Sequence, residues 1–205
     1  MCTALNLLAG DHYFGRNLDL DKSYGEEVCV MPRNFVIEFK TAEALDSHYA
    51  MIGMATVVSG VPLFYDATNE HGLSMAGLNF PENAYFPPFE EGKDNITPFE
   101  FIPWILGKCR TVKEARVLLS RINLVNIPFS DNLPLSPLHW IISDKTESVT
   151  AESMENGLHI HENPVGVLTN NPPFEYQMFN LNNYRKLSVT NGGNNYMGDV
   201  KLEEY

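Results

Sequence analysis

Over residues 1–80, apolar residues come in short runs broken by turn residues, the pattern of strands rather than long helices. Residues 2–8 and 13–18 flank Ala9-Gly10-Asp11 and read as a hairpin. Residues 50–58 form an apolar run rich in Met, Ile and Val. Residues 62–67 and 73–79 flank Asn69-Glu70-His71-Gly72, which reads as two strands joined by a short turn. The pattern then changes. Residues 82–96 are rich in Pro, Glu, Gly and Asn and read as a loop. Thr97, Pro98 and Glu100 form a capping box with Pro at the first helical position, so a helix is expected from Thr97. Pro103 sits awkwardly inside it. A second capping box, Thr111 with Glu114, predicts a helix to about Ile122 with Ala115, Leu118, Leu119 and Ile122 on its apolar face.

From Leu138 the strand pattern returns. Residues 138–143 and 148–154 lead to Asn156-Gly157, a hairpin signal, and residues 158–161 start the return strand. Residues 165–169 are another short apolar run. Residues 173–187 are expected to be helical, with Phe174, Met178, Leu181 and Tyr184 on one face. The tail after Ser188 is rich in Gly and Asn and reads as irregular. Strands, then helices, then strands suggest stacked antiparallel sheets with helices outside, not alternating βαβ units. No dinucleotide-binding glycine motif, P-loop or H-E-x-x-H is present.

Composition narrows the function classes. The 205 residues suit one domain, 1–205, with a sizeable core. The net charge of −12 argues against a nucleic-acid binder, which needs a basic footprint. No apolar run approaches the roughly 20 residues of a membrane span. The N-terminus lacks a secretory pattern. Cys2, Cys29 and Cys109 are odd in number and widely spaced, as free thiols would be in a reducing compartment. A cytoplasmic protein is expected.

Cys2 is the most informative residue. It follows the initiator Met, and a small side chain at that position allows Met1 to be removed. A free N-terminal Cys carries a thiol with a reference pKa near ~8.5 and an amine near ~7.7–8.0. Nucleophile and base would then share one residue. The plainer alternative is a small buried Cys opening an edge strand. Arg16 and Asp19 could approach Cys2 near the ends of the first hairpin. A guanidinium favours the thiolate, and a carboxylate can hold the ammonium. The alternative is an ordinary salt bridge between the two. Asn79 and Asn170 each end an apolar run, where an amide can donate to an oxyanion or simply serve a turn. His159 and His161 alternate on one strand face without further ligands at a useful spacing, so a solvated face is expected and no metal. Asn95-Ile96-Thr97 is a formal glycosylation sequon, better read as the start of the helix cap.

Six motifs occur in order: Met1-Cys2-Thr3, Gly15-Arg16-Asn17-Leu18-Asp19, Asn69-Glu70-His71-Gly72-Leu73, Ala76-Gly77-Leu78-Asn79-Phe80-Pro81, Leu138-His139-Trp140 and Leu168-Thr169-Asn170-Asn171-Pro172. Together they resemble the choloylglycine hydrolase family, the bile salt hydrolases and penicillin V acylases. The resemblance runs from residue 1 to about residue 187. It implies an α+β, αββα sandwich of the N-terminal-nucleophile hydrolases, with no cofactor. It also implies catalytic roles for Cys2, Arg16, Asp19, Asn79 and Asn170. Asn79 in its Gly-Leu-Asn-Phe-Pro context is similar to the bile salt hydrolase pattern. Residues 126–134 resemble the family's substrate loop, so Leu18, Phe129 and Leu133 are candidates for an apolar steroid pocket, or else ordinary core. The expected substrate is a glycine- or taurine-conjugated bile acid. The alternatives are penicillin V or an N-acyl homoserine lactone, or a catalytically dead protein that only binds bile acids or a partner. The resemblance further implies a homo-oligomer, often a tetramer, which the tail 191–200 could help to form. It also implies further strands and another active-site Arg beyond Tyr205.

Overall fold

A computed structural model of the chain describes residues 1–185 and Leu187. The first hairpin pairs β1 (Thr3–Ala9) with β2 (Asp11–Asn17). Its turn is Gly10 at φ +78°, a conformation a side chain would strain. Next come β3 (Glu26–Met31), β4 (Met51–Val58), β5 (Val61–Asn69) and β6 (Ser74–Asn79). Ser59 and Gly60 join β4 to β5 with positive φ at both, the tight turn that matches strand twist. The middle of the chain holds β7 (Asp94–Ile96), α1 (Phe101–Lys108), α2 (Val112–Leu119) and β8 (Ile122–Leu124). It ends in β9 (Leu138–Ser143), β10 (Ser148–Met154), β11 (Gly157–Glu162), β12 (Val167–Leu168) and α3 (Phe174–Leu181).

Two antiparallel sheets stack, as the order of elements suggested. The larger runs β11-β10-β9-β6-β5-β4-β3 and the smaller β12-β1-β2. Central strands β6 and β9 are buried on both faces, and alternation sorts their side chains. Met75, Trp140 and Ile142 face the core shared with α1 and α2. Ala76, Leu78 and Ile141 face the other way and meet Cys2, Ala4, Leu168 and Phe174 in the layer between the sheets. Small residues such as Ala4 and Ala76 stand on the facing strands, and Cys2 lies in the layer between them.

Several local expectations need correction. The first helix starts at Phe101, not after Thr97. Residues 98–100 form a turn in which Glu100 accepts from the Thr97 N–H at 3.2 Å, so half of the capping box exists one turn early. Pro103 thereby falls in the first helical turn, where a missing N–H costs nothing. The second helix does cap on Thr111, whose side chain accepts from Glu114 N, but ends at Leu119. Ile122 belongs instead to β8, which pairs in parallel with β7 inside the segment read as loop. Asn95 favours that pairing: its amide donates to Glu90 O and Lys93 O and accepts from Asn123, a tertiary network with no sequence period. The last helix ends at Leu181 and gives way to a 3₁₀ turn at Asn182–Tyr184. Leu181 and Tyr184 are exposed. Asn182 and Asn183 bond back to the preceding turn, the local competition that shortens helices. The expected irregular tail, with its residues 191–200, lies outside the described residues.

Candidate active site

The strand register assembles the N-terminal site. Thr3 pairs with Asn17 and Ala4 with Arg16 across the first hairpin, while Ala4 also pairs with Leu168 of β12. Continuing that register by two residues brings Cys2 beside Leu18 on one side and Asn170 on the other, and Met1 beside Asp19. Opposite residues in an antiparallel pair share a face. Cys2, Ala4, Arg16, Leu18 and Leu168 therefore share the face toward the larger sheet. Cys2 is buried, at 6% exposure.

Hydrogen bonds tie these residues together. The Met1 amine donates to Asp19 Oδ2 at 2.7 Å, and that bond holds the amine's pKa above its ordinary value. The Cys2 N–H donates to Asn170 Oδ1 at 2.7 Å. Asn170 Nδ2 donates to Asn79 O at 2.7 Å, joining the ends of the two sheets. Thr3 N donates to Asn17 Oδ1 at 2.7 Å, so the first backbone nitrogens are each held by a side chain. Asn79 itself is exposed, and its side-chain amide makes no hydrogen bond among the described residues.

Arg16 reaches across the layer. Its Nη1 donates to Tyr65 O and to Gly77 O, each at 3.0 Å. Tyr65 is the extra residue of a bulge in β5, since Met54 pairs with Asp66 and Ala55 with Phe64. Bulges re-aim backbone groups near functional sites, and this one offers its carbonyl to Arg16. Arg16 Nε lies 3.7 Å from Asp66 Oδ2, with the Arg16 side chain 5% exposed. Nε has no hydrogen-bond partner. Burial raises the Asp66 carboxyl above its ordinary range, and the Arg16 charge opposes that.

A cleft of about 520 Å³ opens over this arrangement, lined by Arg16, Leu18, Leu20, Lys22, Ser23, Glu26, Met54 and Asp66. Leu18 thus lines the space beside Arg16. Phe129 does not: it lines a separate groove of about 270 Å³ with Phe35, Ile37, Val61 and Leu63, and packs edge-on against Phe99 at 5.2 Å. Leu133 lines neither; it is 36% exposed and forms an isolated bridge with Ser130. The three candidate apolar residues are therefore not brought together.

Sequence reasoning missed Asp66, the Tyr65 bulge and a buried polar group behind Asn170. There, His139 of β9 and Glu152 of β10 are both fully buried and bonded at 2.9 Å. Gln177 of α3 donates to Asn170 O and Pro172 O. A signal existed for His139, which interrupts an otherwise apolar run. His161, expected on a solvated face, instead lies 3.4 Å from Glu152. Among the described residues no group of three or more His, Cys, Asp or Glu is arranged to hold a metal ion. Cys2, Cys29 and Cys109 are free thiols. No helix among the described residues is long and apolar enough to cross a membrane.

A family model described as linear amide C-N hydrolases, choloylglycine hydrolase family, matches residues 2–205. A protein of Lactiplantibacillus plantarum called bile salt hydrolase/transferase is 51% identical over 205 residues, covering 100% of this chain and 63% of its own length. Among solved structures, the C2A mutant of conjugated bile acid hydrolase from Clostridium perfringens superposes with a TM-score of 0.88. It is 38% identical, over 98% of this chain and 63% of that one. Penicillin V acylase from Agrobacterium tumefaciens shares the fold at a TM-score of 0.76 and 20% identity, over 91% of this chain and 58% of that one. The chain thus spans about 58–63% of the length of these relatives. With the motifs in order, the stacked antiparallel sheets and the match over nearly all its residues, the chain belongs to the choloylglycine hydrolase family of linear amide C–N hydrolases.

Proposed function

We propose that this chain carries the catalytic centre of a hydrolase that cleaves the amide bond of glycine- or taurine-conjugated bile acids, with Cys2 as nucleophile once Met1 is removed. The observation that carries the reading is the bond of the Cys2 nitrogen to Asn170 Oδ1 at 2.7 Å; the Asp19 bond belongs to Met1 and ends with its removal. Removal of Met1 turns that nitrogen into an α-amine with an acceptor already in place.

The amine takes the thiol proton, and the sulfur attacks the substrate carbonyl carbon. The carbonyl oxygen becomes an oxyanion, for which the side chain of Asn79 is a free donor. The ammonium then gives its proton to the leaving nitrogen. The C–N bond breaks, glycine or taurine departs, and a thioester remains. Water attacks the thioester, the amine accepts its proton, and that proton returns to the thiolate as the bile acid leaves. Arg16 adds positive charge beside the cleft, which favours a thiolate. The cleft sets Arg16 and Lys22 against Glu26 and Asp66, and Leu18 and Leu20 give it apolar wall for the acyl part of the substrate.

The bile salt reading over penicillin V or an N-acyl homoserine lactone rests on the relatives' names and on Asn79 in its motif. A homo-oligomer in a reducing, cytoplasmic compartment belongs to the same proposal. The test is turnover of glycocholate, taurocholate and penicillin V by the purified chain and its Cys2→Ala variant, with intact mass confirming loss of Met1. Bile salt cleavage that disappears in the variant is expected. Faster cleavage of penicillin V would replace the substrate, and binding of bile acids without turnover would leave only the binding reading.

A further inference from the structure

We infer that the buried His139–Glu152 pair positions both asparagine-bearing strand ends of the site, acting through the Thr169 carbonyl and the Phe80 ring. The inference rests on the proposed role of Cys2 and Asn170 and adds a positioning residue to it.

His139 touches both ends. Its Nε2 bonds Thr169 O at 2.7 Å, immediately before Asn170. Its ring stacks on Phe80, immediately after Asn79, with centroids 4.2 Å apart and planes 7° from parallel. Asn170 Nδ2 closes the loop on Asn79 O. A single imidazole thus braces the two strand ends that meet at Cys2.

Both ring nitrogens face acceptors. A carbonyl oxygen only accepts, so Nε2 must carry a proton. Nδ1 faces Glu152 Oε1 at 2.9 Å. The Glu152 oxygens also accept from Phe174 N at 3.0 and 3.2 Å, so the carboxyl group is held on both sides. Buried and paired in this way, His139 has one orientation, and Nε2 points at Thr169 O. His161 of β11 also lies 3.4 Å from Glu152 Oε2, without a hydrogen bond. Glu152 also ties α3 to the same turn through Phe174, and Gln177 of α3 holds Asn170 O. A buried pair with neither partner in the cleft, bonded to Thr169 O on one side and to the first residue of α3 on the other, is built for position.

The test compares His139→Phe, which keeps the ring but no donor, with His139→Gln, which keeps a donor near the place of Nε2, and with Glu152→Gln. Each is made in the chain lacking Met1. Titration of the Cys2 α-amine is followed by NMR of chains carrying ¹⁵N-cysteine, alongside kcat and KM on glycocholate. A hydrogen bond accepted from an ammonium favours the charged form, so a displaced Asn170 moves the amine titration to lower pH. His139→Phe is expected to do this and to lower kcat about 10- to 100-fold with KM little changed, the usual scale of a misplaced group. His139→Gln is expected to restore most of both. A folded His139→Phe chain with an unmoved titration overturns the inference. If that variant does not fold, Glu152→Gln decides: an unmoved titration there overturns it as well. Failure of the wild-type chain to hydrolyse any bile salt would count against the proposed function alone, because the amine titration needs no turnover.

Discussion

Replacing Arg16 by Met should destabilise the fold by about 3–5 kcal/mol at neutral pH, and by less in acid. Met fills much of the same volume, so the loss is electrostatic. Two hydrogen bonds from a charged donor to Tyr65 O and Gly77 O disappear, each bond of this kind contributing about 1.5–3 kcal/mol. Asp66 also loses the Arg16 cation, and a buried pair broken on one side costs about 3–5 kcal/mol. These losses overlap, so the range is that of one broken pair rather than their sum. Asp66 sets the pH dependence. Burial already raises its folded-state pKa, and Arg16 lowers it, so the variant's Asp66 is raised further. A carboxyl with a raised folded pKa contributes stability below its unfolded pKa that is lost as pH rises through the folded one. The variant's deficit should therefore shrink between pH 7 and the ordinary carboxylate range. Urea unfolding of both chains across that interval measures it, provided the m-value is unchanged. A deficit under about 1 kcal/mol at neutral pH, against the usual 3–5 of a broken buried pair, would refute the reasoning. So would a deficit that grows in acid.

Three further outcomes follow from geometry elsewhere. Gly53→Ala should destabilise by at least about 1–3 kcal/mol, the usual cost of overpacking. A Cβ there would stand 2.0 Å from Asp66 O, and thermal unfolding would show the drop. Thr111→Ala removes the acceptor for Glu114 N and should cost about 1 kcal/mol, a fall of roughly 2–4 °C in Tm with no change in any site property. Cys109 is buried and its thiol is pushed up to about 12, while burial raises the half-exposed Cys29 thiol less, so iodoacetamide at alkaline pH should label Cys29 well before Cys109 in peptide mass mapping.

Much of the strand framework was legible because alternation and turn residues are local signals. The two hairpins on Gly10 and on Asn156-Gly157, and the cap at Thr111, needed no distant partner. The helix boundaries at Phe101 and Leu181 and the β7–β8 pairing were not legible. They depend on the burial of Glu100 and its bond from Lys40 N, on bare surface at Leu181 and on the Asn95 network with Asn123, all set by groups remote in sequence or by burial. Cys2, Arg16, Asp19, Asn79 and Asn170 were nominated by residue type and motif. Neither could say how they meet: Asn170 offers its oxygen to Cys2 N and its nitrogen to Asn79 O, while Asp19 holds the terminal amine. Asp66 and Glu152 had no sequence signal, because an acidic residue is ordinary until the fold removes its water. Leu18, Phe129 and Leu133 looked alike as large apolar residues, and only packing put them in different places. The sequence by itself determined the periodicities, the turns and the chemistry available at the N-terminus. The tertiary structure decided the register and burial, because hydrogen bonds across 168 residues, such as that of Cys2 to Asn170, exist only after the sheets close.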